Sequence, residues 1–415
     1  MTLLRPGDPG FDPFRHTFGP GGSPALVASC ADAAEVADAL RHAKAHGLRV
    51  AVRSGGHSLA GLSTNDGGLV IDLSPLDQVE PLGDDLVRVG AGATWGAVSK
   101  ALAPHGLAVS SGDTSNVGVG GLLTGGGLGW LLRRHGLTID HLVAAEVVTA
   151  DGGVLRVSAA DHPDLFWAVR GGAGTAAIVT RAELRAHRVT EVAFGQIGYA
   201  AADAERVFKG WREVHRAAGD GLTSAVARVP GATMVLACHA DAGALDALTT
   251  LAEPTSVDVK VVPYPDILEA AAPPPDWQPH MRNRFLRELT DDHIRAMLAF
   301  AEATPMAGVS VRGLGGAMNR VPAGATAFPH RDSEVMALAG LLGTPDQHPA
   351  RLPAFDALWA ALEPEATGAY VGFLSELSQD DVAAIWPGAT RERLIEVKRR
   401  YDPANVFSGT ASGTL

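Results

Sequence analysis

The chain is short of cysteine, of long apolar runs and of concentrated positive charge, and each shortage removes a class of protein. Among 415 residues there are 2 cysteines, Cys30 and Cys238, far apart and without Cys-x-x-Cys spacing. A disulfide framework and a cysteine-type zinc site are thereby set aside, no metal site is expected, and the pattern suits a reduced compartment. No apolar stretch reaches the ~20 residues that a bilayer-spanning helix needs, so a soluble chain without a membrane partner is expected. The opening MTLLRPGDPGFDPF has no basic segment leading into an apolar one, so a cytoplasmic location is expected. Lys and Arg total 34 against 46 Asp and Glu, for a net charge of -12. With no dense Lys/Arg block, nucleic acid and anionic membrane are poor partners. Nothing in the sequence reports an oligomeric state.

What the chain has in excess is glycine, 49 residues that cluster instead of scattering. The length suggests about two or three domains. A strand at 24–27, a helix over 31–46 stopped by Gly47 and a strand at 48–52 read as a βαβ unit. Its second strand runs into Arg53-Ser54-Gly55-Gly56-His57-Ser58, where ligand loops sit. On its own Gly-Gly-His is as readily a tight turn whose histidine caps a carbonyl. Strands follow at 69–73 and 86–89, then a helix over 94–105 ended by Gly106, with His105 as a capping residue.

The run at 118–129 holds Gly118, Gly120, Gly121, Gly125, Gly126, Gly127 and Gly129. It is too glycine-rich for an independent helix and too apolar for a linker. Either it is a buried packing seam, or its backbone N–H groups approach a phosphate or a flavin ring edge. Strands at 143–149 and 154–157 pair around Asp151-Gly152-Gly153. Gly172-Ala173-Gly174-Thr175-Ala176-Ala177 fits the dinucleotide pattern G-x-G-x-x-A, but a helix precedes it and a strand follows, the reverse of a Rossmann turn. It reads better as a second backbone cradle. Beyond about residue 190 glycine clusters thin out and a Pro-rich stretch appears at 271–275. Strands at 194–199, 225–229, 233–239 and 308–312 and helices at 202–217 and 291–303 indicate an α+β sheet domain. A basic helix over 391–400 stops at Asp402-Pro403.

Four segments occur in the order found in one flavoprotein family: Arg53-Ser54-Gly55-Gly56-His57-Ser58, the 118–129 run, Asp164-Leu165-Phe166-Trp167-Ala168-Val169-Arg170-Gly171-Gly172, and Tyr401-Asp402-Pro403-Ala404-Asn405-Val406-Phe407. Taken together the chain resembles the berberine-bridge-enzyme-like branch of the vanillyl-alcohol-oxidase family. The resemblance implies an α+β protein: a PCMH-type FAD-binding domain of two α/β subdomains, and an antiparallel-sheet substrate domain flanked by helices. It also implies boundaries of 1–190 for the FAD domain, 191–379 for the substrate domain and 380–415 for a C-terminal segment returning to the FAD domain. FAD is then the implied cofactor, bonded through its 8α-methyl carbon to His57. Many relatives carry a second tether, a cysteine in Gly-x-Cys-x-x-Val-Gly. Here the stretch reads Gly112-Asp113-Thr114-Ser115-Asn116-Val117-Gly118, so Thr114 excludes a cysteinyl linkage and leaves His57 as sole anchor. Val179 and Asn405 join the glycine loops as implied cofactor contacts.

The same resemblance implies catalytic roles for Val117, at a position that gates oxygen, for Asn116 as a lining group, and for Tyr370. Val117 is equally a β-branched packing residue. Tyr370 matches the tyrosine of a Tyr-x-Asn motif, yet Gly372 replaces its asparagine, and an aromatic packing role is the alternative. With an ordinary pKa near ~10, this phenol needs help to act as a base at neutral pH. His330 and Arg331 look family-like, but Arg331 is as readily a salt-bridge residue. The implied function is an FAD-linked oxidase of secondary metabolism. It would oxidise an alcohol, amine or related carbon of a small-molecule, natural-product-like substrate by hydride transfer to flavin N5, with O2 as acceptor and H2O2 as product. A cyclase or isomerase using the same scaffold for a net non-redox reaction is the alternative kept open by Gly372.

Overall fold

The computed structural model describes residues 1–415 except Pro273, Pro275 and Thr414, so part of the proline stretch expected at 271–275 lies outside the described residues. The first sheet is built around helix Ala33–His46, whose N-terminus is capped by the Asp32 carboxylate accepting from Glu35 N–H at 2.8 Å. Gly47, at φ 64°, closes the helix in the left-handed region that only glycine enters cheaply. The strands on either side of this helix, Leu26–Ser29 and Val50–Arg53, are both parallel to Leu69–Asp72, which lies between them. The expected βαβ strands are therefore one strand apart. Leu69–Asp72 is buried throughout and takes the central place, while Thr2–Leu4 adds an antiparallel edge beside Leu26–Ser29.

A second, antiparallel sheet runs in the order Val79–Gly83, Leu86–Gly90, Ala177–Arg185, Leu142–Thr149, Val154–Ser158. One continuous core joins the two sheets and takes in Leu394, Val397 and Phe407 from the end of the chain. Buried Lys398 fixes that end by donating to Thr175 O at 3.3 Å and pairing with Asp402 at 3.0 Å. Asp402 in turn accepts from the Val406 and Phe407 amides.

The third sheet has eight strands, in the order Pro254–Pro263, Glu191–Ala200, Ala232–His239, Thr223–Val229, Ala307–Gly313, Val335–Leu341, His280–Leu286, Ala366–Gly368, all antiparallel. Helices Ala204–Ala217, Asp291–Ala303 and Leu352–Leu362 bury Trp211, Met297 and Trp359 in the core on one face. Three of its longer strands escape the sequence pattern for separate reasons. Val335–Leu341 is buried at every position and shows no alternation. Pro254–Pro263 is an exposed edge with proline at each end, and His280–Leu286 is polar at four of its seven positions. The architecture is α+β. Among the described residues no helix is long and apolar enough to cross a membrane. Cys30 and Cys238 are free and buried, and burial raises both thiols to about 12.

Candidate active site between a glycine wall and a side-chain wall

A cavity of about 480 Å³ opens where the eight-stranded sheet meets the first two sheets. On one side it is walled by Ser54, Gly55, Gly56, His57 and Ser58, by Thr114, Val117, Gly118, Gly120, Gly121 and Gly125, and by Val179. The 118–129 run is not all loop: Val119–Gly125 forms a short α-helix, contrary to the expectation from its glycine content. Packing explains the difference. The Gly118 backbone is pressed against Ser54 and Gly55 so closely that a Cβ at Gly118 or Gly55 would overlap the facing loop, and Gly120 sits less tightly on Ala91, where a Cβ would come 3.2 Å from its oxygen. Ser54 ties the two loops together, donating to Ala91 O at 2.6 Å and accepting from Gly120 N–H at 3.3 Å. The run is thus both a packing seam and a cavity wall. At Gly121 a Cβ would meet nothing within 4 Å.

His57 follows Gly56, whose φ of 73° turns the chain, and its ring stacks on Phe18 at 5.1 Å between centroids. Burial, and secondarily the Arg53 charge, lowers its pKa below the ordinary histidine value. The imidazole is therefore neutral and nucleophilic near neutral pH. Thr114 lines the same cavity, and its hydroxyl donates to Asp113 at 3.0 Å. A flat cofactor with phosphates fits this wall: small residues leave room, backbone lies at its surface, and the imidazole faces the space.

The other expected residues do different work. Arg53 donates to His16 O at 2.7 Å and lies 5.6 Å over the Phe14 ring, so it anchors the N-terminal segment away from the cavity wall. Asn116 clamps a backbone, donating to Ala271 O at 2.8 Å and accepting from Ala271 N–H at 3.0 Å, which brings Ala271 to the wall in its place. Gly129 is packing, since a Cβ there would overlap Ser111 and Gly112. Gly126 and Gly127 seat Tyr370: a Cβ on Gly126 would come 3.1 Å from its ring, and Gly127 N–H donates to its hydroxyl at 3.2 Å. Asn405 turns the chain at φ 52° and donates to Gly413 O at 3.3 Å. It sets up Phe407, Gly409, Thr410 and Ala411, which reach the wall where Asn405 does not. His330 is buried with its ring N at 3.0 Å from Ile385 O, and Arg331 grips Asp140 with two hydrogen bonds of 2.7 and 2.8 Å. His105 ends a short 3₁₀ turn before Gly106, at φ 65°.

An adjoining part of the lining carries the side chains of Met281, Arg312, Tyr370, Val371 and Phe373. Tyr370 is 4 % exposed, and burial pushes its phenol up to about 12. Asn283, fully buried on the sheet, holds its backbone by accepting from Tyr370 N–H at 2.7 Å and donating to Tyr370 O at 2.8 Å. A Cβ at Gly372 would fall 2.6 Å from the Tyr370 ring, so glycine in place of the motif's asparagine is what admits this ring position. Arg312 pairs with Asp113 at 2.5 Å, joining the two walls. Asn283, Arg312 and residues 409–411 were missed as site residues in the sequence, although Phe407 lay in one of the four family-like segments. A lone asparagine inside a strand was the one available signal.

Glycine loops and an imidazole beneath a sheet define the class of PCMH-type FAD-binding flavoproteins. Residues 24–158 match the FAD binding domain family. The chain is 32% identical over 410 residues to an uncharacterized FAD-linked oxidoreductase of Bacillus subtilis (92% of this chain, 90% of that one). It is 31% identical over 447 residues to (R)-6-hydroxynicotine oxidase of Paenarthrobacter nicotinovorans (98% and 94%). The crystal structure of 6-hydroxy-D-nicotine oxidase from Arthrobacter nicotinovorans superposes with a TM-score of 0.89 at 26% identity, covering 99% of this chain and 97% of that one. The chain belongs to the family of FAD-linked oxidoreductases that these relatives represent, and it is an FAD-linked oxidase.

Proposed function

We propose that the protein carries FAD attached through His57 alone and oxidises an alcohol, amine or related carbon of a small-molecule substrate, with O2 as acceptor and H2O2 released. One observation carries the reading: His57, a neutral nucleophile, and Thr114, which has no thiol, line one cavity. When bound, the flavin would supply a hydride acceptor at N5. Ser54, Gly55, Gly56, Ser58, the Gly118, Gly120, Gly121 and Gly125 backbone, and Val179 would hold it, with residues 1–190 and 380–415 as the flavin side and 191–379 as the substrate side.

Tyr370 would face the reacting carbon. With its phenol raised to about 12 and its oxygen accepting from Gly127 N–H, it keeps its proton at neutral pH and orients a substrate oxygen or nitrogen by donating to it. Val117 stands on the cavity wall, where its size would set oxygen access.

Acid precipitation of the purified holoprotein tests the tether: yellow colour should stay with the chain in wild type and be released from His57→Ala. Colour lost from mature wild type would overturn it. Peroxide formed in step with substrate consumption tests the oxidase reading, whereas substrate converted without peroxide would favour the non-redox use of the scaffold. Thr114→Cys should gain a second linkage, read as flavin still attached in the Thr114→Cys, His57→Ala double variant.

A further inference from the structure

The oxidase reading leaves open what part of a substrate the side-chain wall would grip. Among the described residues that line the cavity, Asp113 and Arg312 are the only Asp, Glu, Lys or Arg side chains. Arg312 stands on strand Ala307–Gly313, where Ala307, Val309, Val311 and Gly313 are buried toward the helices and Gly308, Ser310 and Arg312 take the other face. Its guanidinium lies 5.0 Å over the Phe373 ring and 2.5 Å from Asp113.

The two partners are not equally satisfied. One Asp113 oxygen accepts from Thr114 Oγ1 and the other faces Arg312 Nη1, so both oxygens have a partner. Arg312 carries five donors in a planar fork, and among the described residues Asp113 is the one acceptor near them, which leaves most of the fork unused. A cationic substrate would have to displace a donor from Asp113 while approaching Arg312. An anionic one finds unused donors, and a planar apolar body beside the anion would lie among Phe373, Met281 and Val371.

We propose that Arg312 is a specificity-determining residue that recognises an anionic oxygen, a carboxylate or phenolate, on an apolar or aromatic substrate. Asp113 positions the guanidinium and limits its pull on the anion. The proposal rests on the reading of this cavity as the oxidase site.

The test is calorimetric titration of the holoprotein with three probes of one shape: benzoate, neutral benzamide and cationic benzamidine. Wild type should bind benzoate at least about tenfold tighter than benzamide, and benzamidine weakest. Arg312→Gln should erase the preference for benzoate over benzamide, and Arg312→Lys should keep part of it. Asp113→Asn should increase the preference, an outcome that loss of folding cannot imitate. Equal binding of benzoate and benzamide by wild type, tighter binding of benzamidine, or unchanged selectivity in Arg312→Gln would overturn the proposal. Acid-stable flavin and peroxide formation are scored separately, so a failed oxidase reading is distinguishable from failed anion recognition.

Discussion

The two walls of the cavity are made by different means. The wall at 54–58 and 118–125 is rich in glycine, packed so that two loops touch, and His57 is its one imidazole. The wall from the eight-stranded sheet and 370–373 is side chains: an ion pair, a buried phenol, and apolar surface. A cofactor common to a whole family can be held by backbone, because backbone donors are indifferent to side-chain drift. A substrate particular to one enzyme has to be read by side chains. Variants of the two walls should therefore fail in different ways.

The largest expected effect is at His57. His57→Ala should abolish acid-stable flavin altogether and lower the potential of flavin bound without the tether, while circular dichroism remains native. Unchanged potential and turnover would remove the functional distinction of the glycine wall. Next comes Tyr370→Phe, which keeps the ring on Gly126 but removes the hydroxyl. Turnover should fall by about 10²–10⁴ if proton or hydrogen-bond assistance is its task, with flavin content intact. The wild-type rate should show no loss from phenol ionisation up to about pH 10, because burial raises Tyr370 to about 12. A loss of flavin in Tyr370→Phe, or an alkaline limb near neutrality, would blur the two walls.

Two alanine substitutions divide the glycine wall itself. Gly118→Ala must push apart Ser54 and Gly55 and should destabilise by about 1–3 kcal/mol or more, read as a lower Tm and poor flavin loading. Gly121→Ala meets no atom within 4 Å, so its Tm should hold while the added methyl intrudes on whatever the cavity holds. Equal losses from both would mean that the glycines serve the helix and not the wall.

The sequence exposed these walls unequally. Glycine clusters and His57 stand out because backbone approach demands a particular residue type, so most of the first wall could be read directly. Arg53, Gly129 and Asn405 are neighbours of wall residues that serve the scaffold, a distinction that depends on which way the chain turns. Arg312 stayed hidden because any strand residue can face a cavity, and only the sheet register reveals that it does; Asn283 stayed hidden because its task is to hold the Tyr370 backbone from within the sheet. The helix Val119–Gly125 was hidden for a related reason. Its stability comes from contact with Ser54 and Ala91, which overrides the poor helix propensity of glycine.

Histidines repeat the contrast on a smaller energy scale. His57 faces the cavity, whereas His135, His141 and His187 pack on one another away from it, with His135 and His187 stacked at 3.9 Å and His187 Nε2 at 3.1 Å from His141 Nδ1. Burial, followed by the neighbouring histidine, depresses His135 and His141 to about 3, and burial alone leads the lowering of His187. The unfolded chain takes up these protons near pH 6.5 and the folded chain does not, so protonation favours unfolding. The stabilising effect of the neutral cluster is complete above about pH 6.5 and is lost as pH falls toward about 3, with a slope of at most about 1.4 kcal/mol per pH unit for a group as buried as His141. Between pH 6.5 and 5 most carboxylates are still ionised, which makes that window diagnostic. Urea unfolding should show stability falling there in wild type and falling less in His141→Asn, while His57→Ala should retain the wild-type slope more nearly because its imidazole is only half-buried. A flat wild-type profile, or one that rises on acidification, would show that the packed histidines share the freedom of the one in the cavity.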